Sequence, residues 1–578
     1  MNKFRTLSYL LVGITLAGCN GLGKMAKNFS QVKYEVTPNP LELHGDSVAI
    51  AVKGTYPAKY FAKKVDATVT PSIKSSTAET NFKPVTIVGE KSTTAGTKVN
   101  YKTGGSFNYT DKVAYTPDMA AADVMVKASG AKGKTIKELG AMKIADGTIV
   151  TPLLVQHDEK AIVGKDQYVR ITPSNFEGNM YYLINTSTVN SNFKVKECNI
   201  SNKSEFAMID SALKALSVAP YVLKGSTITG YASPDGKESV NTDLATNRGK
   251  ASAKHLVGLF KKMKVKISPD SSFFTHNTVN EDWAGFQTLM QQSNMEQKDM
   301  ILRIVASNSD AEAREMEIKK MGKAYEEIAD GVLPKLRRSA VVLNADKVGR
   351  SDEEITATMK SSPDSLSVEE ILYAATLTAD NNEKLSIYQT AERIYPQDWR
   401  TANNAGMAKF NLGDIDGAMA QFNKADQLNA NNPIVKNNIG ACHSRKGDRT
   451  NASLMYASAA GAGPEVNHNQ GILDILNGNY SMAVSNLSAS GSFNTSLAKL
   501  LSGDKDGAMA AIEASPDKST AMGHYLMAVI SARKADANGV VTHLKSSVGM
   551  DASLKAKAAA DREFIKWFND ASFKEAVQ

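Results

Sequence analysis

The sequence predicts a multidomain chain with an N-terminal all-β, sandwich-like region, a central α/β unit carrying a helical insertion, and a C-terminal all-α solenoid. Three observations carry this. Apolar and polar residues alternate with period two from about residue 32 to 163, strand-like and helix-like patterns then alternate to about residue 346, and from about residue 368 a helical pattern repeats every 34 residues. A chain of 578 residues is long enough for several folded units of ~100–200 residues each. Its 42% hydrophobic and 22% charged residues match globular protein and exclude long disordered or collagen-like tracts.

The N-terminus reads as an address. Lys3 and Arg5 precede an apolar run from Leu7 to Leu16, too short to span a bilayer but suited to a secretory signal peptide. The following Leu16-Ala17-Gly18-Cys19 resembles the lipobox of bacterial lipoproteins; the alternative is an ordinary signal peptide with a chance cysteine. The resemblance implies removal of residues 1–18 and diacylation of Cys19, with a tether over 19–31. Two acyl chains anchor stably, at about 0.8 kcal/mol per buried methylene. Asn20-Gly21-Leu22-Gly23-Lys24 lacks both the aspartate of inner-membrane retention and the acidic cluster of surface-exported Bacteroidota lipoproteins. The resemblance therefore implies an outer-membrane lipoprotein facing the periplasm.

In the β region, assigned to residues 32–175, the alternation is clear in Val48, Ile50 and Val52, and in Tyr101, Phe107 and Tyr109 around Gly104-Gly105. Short strands with Pro38, Pro40, Pro57 and Pro71 at their ends suggest one or two β-sandwiches. No catalytic chemistry is evident there, and a spacer or docking role remains open. The α/β unit, assigned to 176–348, reads as a strand over 180–184, a helix over 205–216, a strand over 226–231, a helix over 239–262, mostly helical sequence over 281–329 and a strand over 338–344. A linker is expected over 349–367.

Residues 368–578 form the repeat region. Gly406, Gly413, Ala418, Phe422 and Ala425 recur 34 residues later as Gly440, Gly447, Ala452, Tyr456 and Ala459, the period of a tetratricopeptide repeat. Weaker copies around Gly471, Gly503 and Ala528, and an earlier one ending near Tyr388, Ala391 and Pro396, give five or six units. Such an array offers a concave groove for protein partners.

One constellation suggests a ligand. Gly230-Tyr231-Ala232-Ser233-Pro234-Asp235-Gly236, followed by Asn241, Leu244, Ala245 and Arg248, resembles the OmpA-like peptidoglycan-binding domain. Glu281-Asp282-Trp283, Arg314-Glu315 and the run Leu333 to Ser339 are similar to the enlarged form common in Bacteroidota. The resemblance implies a site for the carboxylates and ammonium group of a peptidoglycan stem peptide, with Arg248 as the carboxylate fork and Ser233, Asp235 and Asn241 around it. Ser233 stands where the family has a carboxylate, and Asp235 is close enough in sequence to turn into the same space. Arg248 could instead pair locally with Asp235 or Asp243 and merely pin the loop.

Several chemistries are not supported. Gly133-Lys134-Thr135 imitates the end of a phosphate-binding loop, but Ala128 occupies the first glycine position. No nucleophile elbow is present, the eight histidines fall into no metal-ligand spacing, and Cys198 and Cys442 are far apart. No catalytic residue, cofactor or metal is expected. The net charge of +8 favours anionic partners, yet no Lys/Arg stripe interleaved with aromatics suggests nucleic acid. Asp364-Ser365-Leu366 resembles the Bacteroidota O-glycosylation acceptor, as do the runs at Ser47 and Ser211, with Ser365 the best placed. The reading is a tethering scaffold that joins the outer membrane to peptidoglycan and recruits proteins; its rival is an accessory subunit of an outer-membrane secretion, assembly or motility complex with a vestigial peptidoglycan site.

Overall fold

The computed structural model describes residues 20–265 and 272–578. Cys19 and the segment before it lie outside the described residues. The chain forms two compact units, one of residues 1–165 with 378–578 and one of residues 166–377, so the second is an insertion within the first. Among the described residues, no helix is long and apolar enough to cross a membrane.

The first unit begins with structure where a tether was expected. A helix, Asn20–Lys27, places Leu22 and Met25 on one face, and both are buried with Phe29 in the core of the β region. The three-residue spacing that makes this face was too short a run to read as amphipathic.

Two antiparallel-rich sheets then pack into one sandwich. The first joins Lys33–Thr37, Leu43–His44, Ser47–Tyr56 and Gly105–Ala114; the second is built on Asp66–Lys74, Asp123–Lys132 and Thr135–Asp146, with shorter strands beside them. Val48, Ile50 and Val52 point inward together, and Tyr56 and Phe107 of one sheet meet Val65, Ala67 and Val69 of the other side. Gly133-Lys134 is the two-residue turn between paired Lys132 and Thr135, with Gly133 at φ 60°, so the imitation of a phosphate loop is a hairpin tip. The sandwich ends at Asp146, earlier than the expected limit of 175, and residues 155–165 leave it without joining either sheet.

The helical part of the same unit runs from Asn381–Ile394 through five helix pairs, beginning with Trp399–Asn411 and Ile415–Leu428 and ending with Ala521–Arg533 and Ala537–Met550. The recurring residues have separate tasks. A Cβ on Gly406 would meet the Phe422 ring at 2.7 Å, and one on Gly440 would meet Tyr456 at 2.7 Å, so these glycines let paired helices approach. Gly413 and Gly447 instead end their helices at φ 85° and 78°, and the aspartate after each, Asp414 or Asp448, caps the next helix. The sandwich is fastened to this array: Arg562 donates to the Gly147 carbonyl at 3.2 Å, and buried Glu563 pairs with Arg533 while accepting from Thr151.

The second unit is an α/β layer with strand order Ile171–Tyr181, Arg338–Val348, Tyr221–Tyr231, Phe274–Val279. Only the last pair is parallel. Helices Asn202–Leu216 and Glu238–Met263 cover one face through Ile209, Leu213, Leu256 and Phe260. The first strand starts several residues earlier than the expected 180–184, and Phe274–Val279 leaves no strand signal in the sequence because its residues are largely exposed and do not alternate. The expected linker, 349–367, contains a helix, Asp352–Ser361, held by a Ser351/Glu354 capping box and buried Ile355. A further helix, Val368–Ala374, belongs with this unit, so the repeat array starts later than residue 368.

Phe422 is fully buried between repeated glycine and alanine positions. Replacing it with Ala should cost about 3–5 kcal/mol, read from chemical denaturation as a lower midpoint at unchanged slope.

Candidate functional site

The residues that carry the resemblance to an OmpA-like domain are brought together. The strand Tyr221–Tyr231 ends at a loop that the helix Glu238–Met263 follows, and Gly230 lies so close to the Ala245 carbonyl that no side chain fits between strand and helix. The small residues of the motif thus set the spacing of the two elements. Asn241, nearly buried, donates through Nδ2 to the Ser233 carbonyl at 3.3 Å, the Gly236 carbonyl at 3.2 Å and Glu281 Oε1 at 3.3 Å. It pins the loop. Ile184, Asn185, Ser233, Asp235, Val240 and Arg248 help line a cavity of about 250 Å³ here, with Arg337 beside them.

Arg248 pairs with neither Asp235 nor Asp243. Its Nη1 donates to the Tyr231 carbonyl at 2.9 Å, its Nε to the Thr186 carbonyl at 3.0 Å and its Nη2 to the Leu183 carbonyl at 3.4 Å. The side chain is 1% exposed and its guanidinium lies 5.5 Å from the Tyr182 ring centre. Burial, then the like charge of Arg337, pulls its pKa down to about 10. A cation in this state is held in place by neutral groups and would gain from a bound anion.

Asp235 does turn into the space of Ser233. The Ser233 hydroxyl donates to its Oδ1, but Arg337 Nη2 already pairs with its Oδ2 at 2.9 Å, and Arg337 Nε donates to Ser233 Oγ at 3.2 Å. Nothing in the sequence singled out Arg337 as the partner of Asp235, because 102 residues separate them. Arg338, next to it, pairs instead with Asp282 at 2.8 Å and stacks on Tyr231 with its guanidinium 4.1 Å from the ring centre. The cavity therefore presents two guanidiniums against one carboxylate. Ser365 is exposed in a short turn, its hydroxyl donating to the Ser362 carbonyl at 2.8 Å.

The groove of the helical array is a second candidate site, and it is filled. Residues 156–164 run through it in the direction opposite to the repeats, held by one asparagine per repeat. Asn404 accepts from the Gly164 N–H at 2.7 Å and donates to the Gly164 carbonyl at 2.8 Å. Asn438 grips Ile162 in the same way at 2.7 and 2.8 Å, Asn469 grips Lys160 at 2.7 and 2.9 Å, and Asn494 grips Gln156 at 2.9 and 2.8 Å. Asn403 and Asn437 add donors to the Ile162 and Lys160 carbonyls. Gripped residues spaced by two, as Lys160, Ile162 and Gly164, or by four, as Gln156 and Lys160, mark an extended course. Glu159 sets the register, accepting from Ser444 Oγ at 2.8 Å beside Arg445, while Ile162 packs with Tyr456 and Val466.

Solved structures of tetratricopeptide and related proteins are similar to part of the chain. A tetratricopeptide repeat protein from Parabacteroides merdae is 16% identical over 39% of this chain and 90% of its own length, with a TM-score of 0.28. PilW, a type IV pilus biogenesis factor, is 15% identical over 38% of this chain and 99% of its own, at 0.26. YrrB, a tetratricopeptide protein with an unusual peptide-binding site, is 18% identical over 36% and 99%, at 0.20. No protein-family model and no curated relative matches the chain.

The expectation that the groove itself receives protein partners is corrected by its contents: the chain's own residues 156–164 occupy it. A sequence signal existed. Asn403-Asn404 and Asn437-Asn438 recur at the 34-residue period, and paired asparagines inside a helix disfavour it enough to call for a reason.

Asn438→Ala would leave the N–H of buried Ile162 unpaired, at about 1–3 kcal/mol, and its carbonyl with Asn403 as its remaining donor. Amide hydrogen exchange of residues 156–164 should rise while the sandwich core stays protected. A pH effect follows from His157, whose hydrogen bond to Glu159 raises its pKa. A group raised on folding adds stability that is complete below its unfolded pKa, near 6.5, and is lost as pH climbs through the folded value. Protection of this segment, corrected for intrinsic exchange, should therefore be greater at pH 6 than at pH 8, and His157→Gln should flatten the difference.

Proposed function

We propose that this chain is a non-catalytic scaffold lipoprotein of the bacterial envelope, anchored through Cys19 to the periplasmic face of the outer membrane. Its OmpA-like domain, residues 176–348, holds peptidoglycan through a stem-peptide carboxylate, and its repeat array organises the rest of the chain for protein partners. One observation carries this reading: Arg248 is a buried guanidinium that lines an open cavity and is bonded to main-chain carbonyls instead of a carboxylate. A carboxylate entering the cavity would meet a positioned fork in a low-dielectric wall, where a charge-assisted pair is stronger than in water. The apolar rim of Ile184 and Val240 suits the aliphatic part of such a ligand.

Support for a non-catalytic role comes from the carboxyl groups whose pKa burial raises. Asp474 accepts from Asn486 and Gln470, and Asp561 accepts from Tyr525, so each is engaged inside the helical array. Because residues 156–164 fill the groove, protein partners in this scheme meet the outer faces of the array.

A second reading, an accessory subunit of an outer-membrane machine with a vestigial site, is favoured by the Asp235–Arg337 pair. That carboxylate is already neutralised and is poorly placed to receive an ammonium group. Retention of the full chain on purified sacculi distinguishes the two. The wild type should sediment with sacculi, and Arg248→Lys, which keeps the charge but loses the fork, should bind at least about tenfold more weakly with a melting point within a few degrees. Equal retention of both proteins, or none by either, would sink the peptidoglycan reading, and co-purification of a stoichiometric membrane partner without muropeptide would favour the second.

A further inference from the structure

The two sheets of the β-sandwich share an end at which one charge dominates. Tyr56 pairs with Gly105, Asp66 with Ala131 and Val88, and Lys132 with Thr135, so the segments 57–65 and 89–104, the latter including the short strand Thr97–Val99, and the hairpin tip around 133 lie together there. Main-chain bonds tie them: Lys59 N to the Tyr101 carbonyl at 2.7 Å, and Lys91 N to the Lys63 carbonyl at 2.8 Å. The first helix starts at the same end. A Cβ on Gly21 would meet Ala62 at 3.1 Å, and one on Gly23 would meet the Lys137 ammonium at 4.0 Å.

The segments 20–24, 57–66, 89–104 and 131–138 hold ten lysines and three carboxylates, a formal excess of +7 in a chain whose total is +8. Lys24, Lys59, Lys64, Lys91, Lys98, Lys102, Lys132, Lys134 and Lys137 are exposed, and among the described residues only the tenth, Lys63, has an ion-pair partner, Glu90 at 3.3 Å. Ile136, beside the hairpin tip, is 73% exposed, the highest value among the large apolar side chains described. An apolar side chain flanked by Lys134 and Lys137 costs free energy in water, and fits the boundary between lipid headgroups and acyl chains.

We propose that this end of the sandwich is a docking face for an anionic phospholipid bilayer, with the lysines on the headgroups and Ile136 inserted between them. A broad face of flexible ammonium groups with few carboxylates matches a surface of mobile phosphates, and it lacks the mixed-sign pattern of a specific protein interface. The docking needs no acyl group.

The test uses the full chain with Cys19→Ser, which carries no lipid, in co-sedimentation with phosphatidylcholine vesicles with and without phosphatidylglycerol. Binding is expected only with phosphatidylglycerol, falling as salt rises. Lys132→Glu, Lys134→Glu and Lys137→Glu combined should weaken it at least about tenfold. These side chains are exposed, so melting should be unchanged, and sacculus retention should be unaffected in the same variant. No sedimentation with anionic vesicles, equal sedimentation with neutral ones, or full binding by the triple variant would overturn the proposal. The triple variant losing instead a co-purifying acidic protein, with vesicle binding intact, would overturn it in favour of a protein partner.

Discussion

The first unit depends on a ladder of side-chain amides that replaces a strand partner. A buried extended segment must satisfy every N–H and C=O along it, and a carboxamide is the one side chain that offers a donor and an acceptor with main-chain spacing. Asn404, Asn438, Asn469 and Asn494 each supply both. The asparagines also bond one another, Asn438 to Asn403 and Asn469 to Asn437, so the ladder is a connected network running across successive repeats. Each asparagine weakens its own helix by roughly half a kcal/mol. Leaving the segment's polar groups unpaired would cost more.

The two candidate sites use opposite solutions to burial. Around Arg248 the polar groups are over-supplied with positive charge, and three carbonyls hold the guanidinium without neutralising it. Along residues 156–164 the gripped main-chain groups are matched, and the Glu159 carboxylate, fully out of solvent, accepts from Ser444 through Oε1 with Arg445 3.8 Å from Oε2. A satisfied network rigidifies, whereas an unneutralised cation in a cavity favours a ligand. That contrast is why the cavity and not the groove carries the functional reading.

Periodicity made much of this legible. The alternation at Val48, Ile50 and Val52 and the 34-residue recurrence of Gly406 and Phe422 are imposed by packing, and packing leaves a repeated trace. The loop after Tyr231 was legible because Gly230 and Ala245 must both be small. What escaped was long-range. Arg337 reaches Asp235 across the sheet, residues 156–164 look like an ordinary polar stretch, and the exposed edge strand Phe274–Val279 has no buried face to impose alternation. The helix Asn20–Lys27 is fixed by contacts with Gly130 and Ala62, which no local pattern encodes.

The insertion of residues 166–377 within the first unit has a consequence for biosynthesis. Gln156 leaves the ribosome 338 residues before Asn494, its partner in the groove. At ~5–20 residues per second, that is roughly 17–70 seconds of translation before the last of the asparagines that grip residues 156–164 exists. The sandwich and the inserted domain can each close on local contacts meanwhile, but residues 156–164 can seat only as successive repeats emerge, Gly164 first on Asn404 and Gln156 last on Asn494. A nascent chain of this protein therefore carries a segment that is claimed one repeat at a time, in the order opposite to that in which its residues were made.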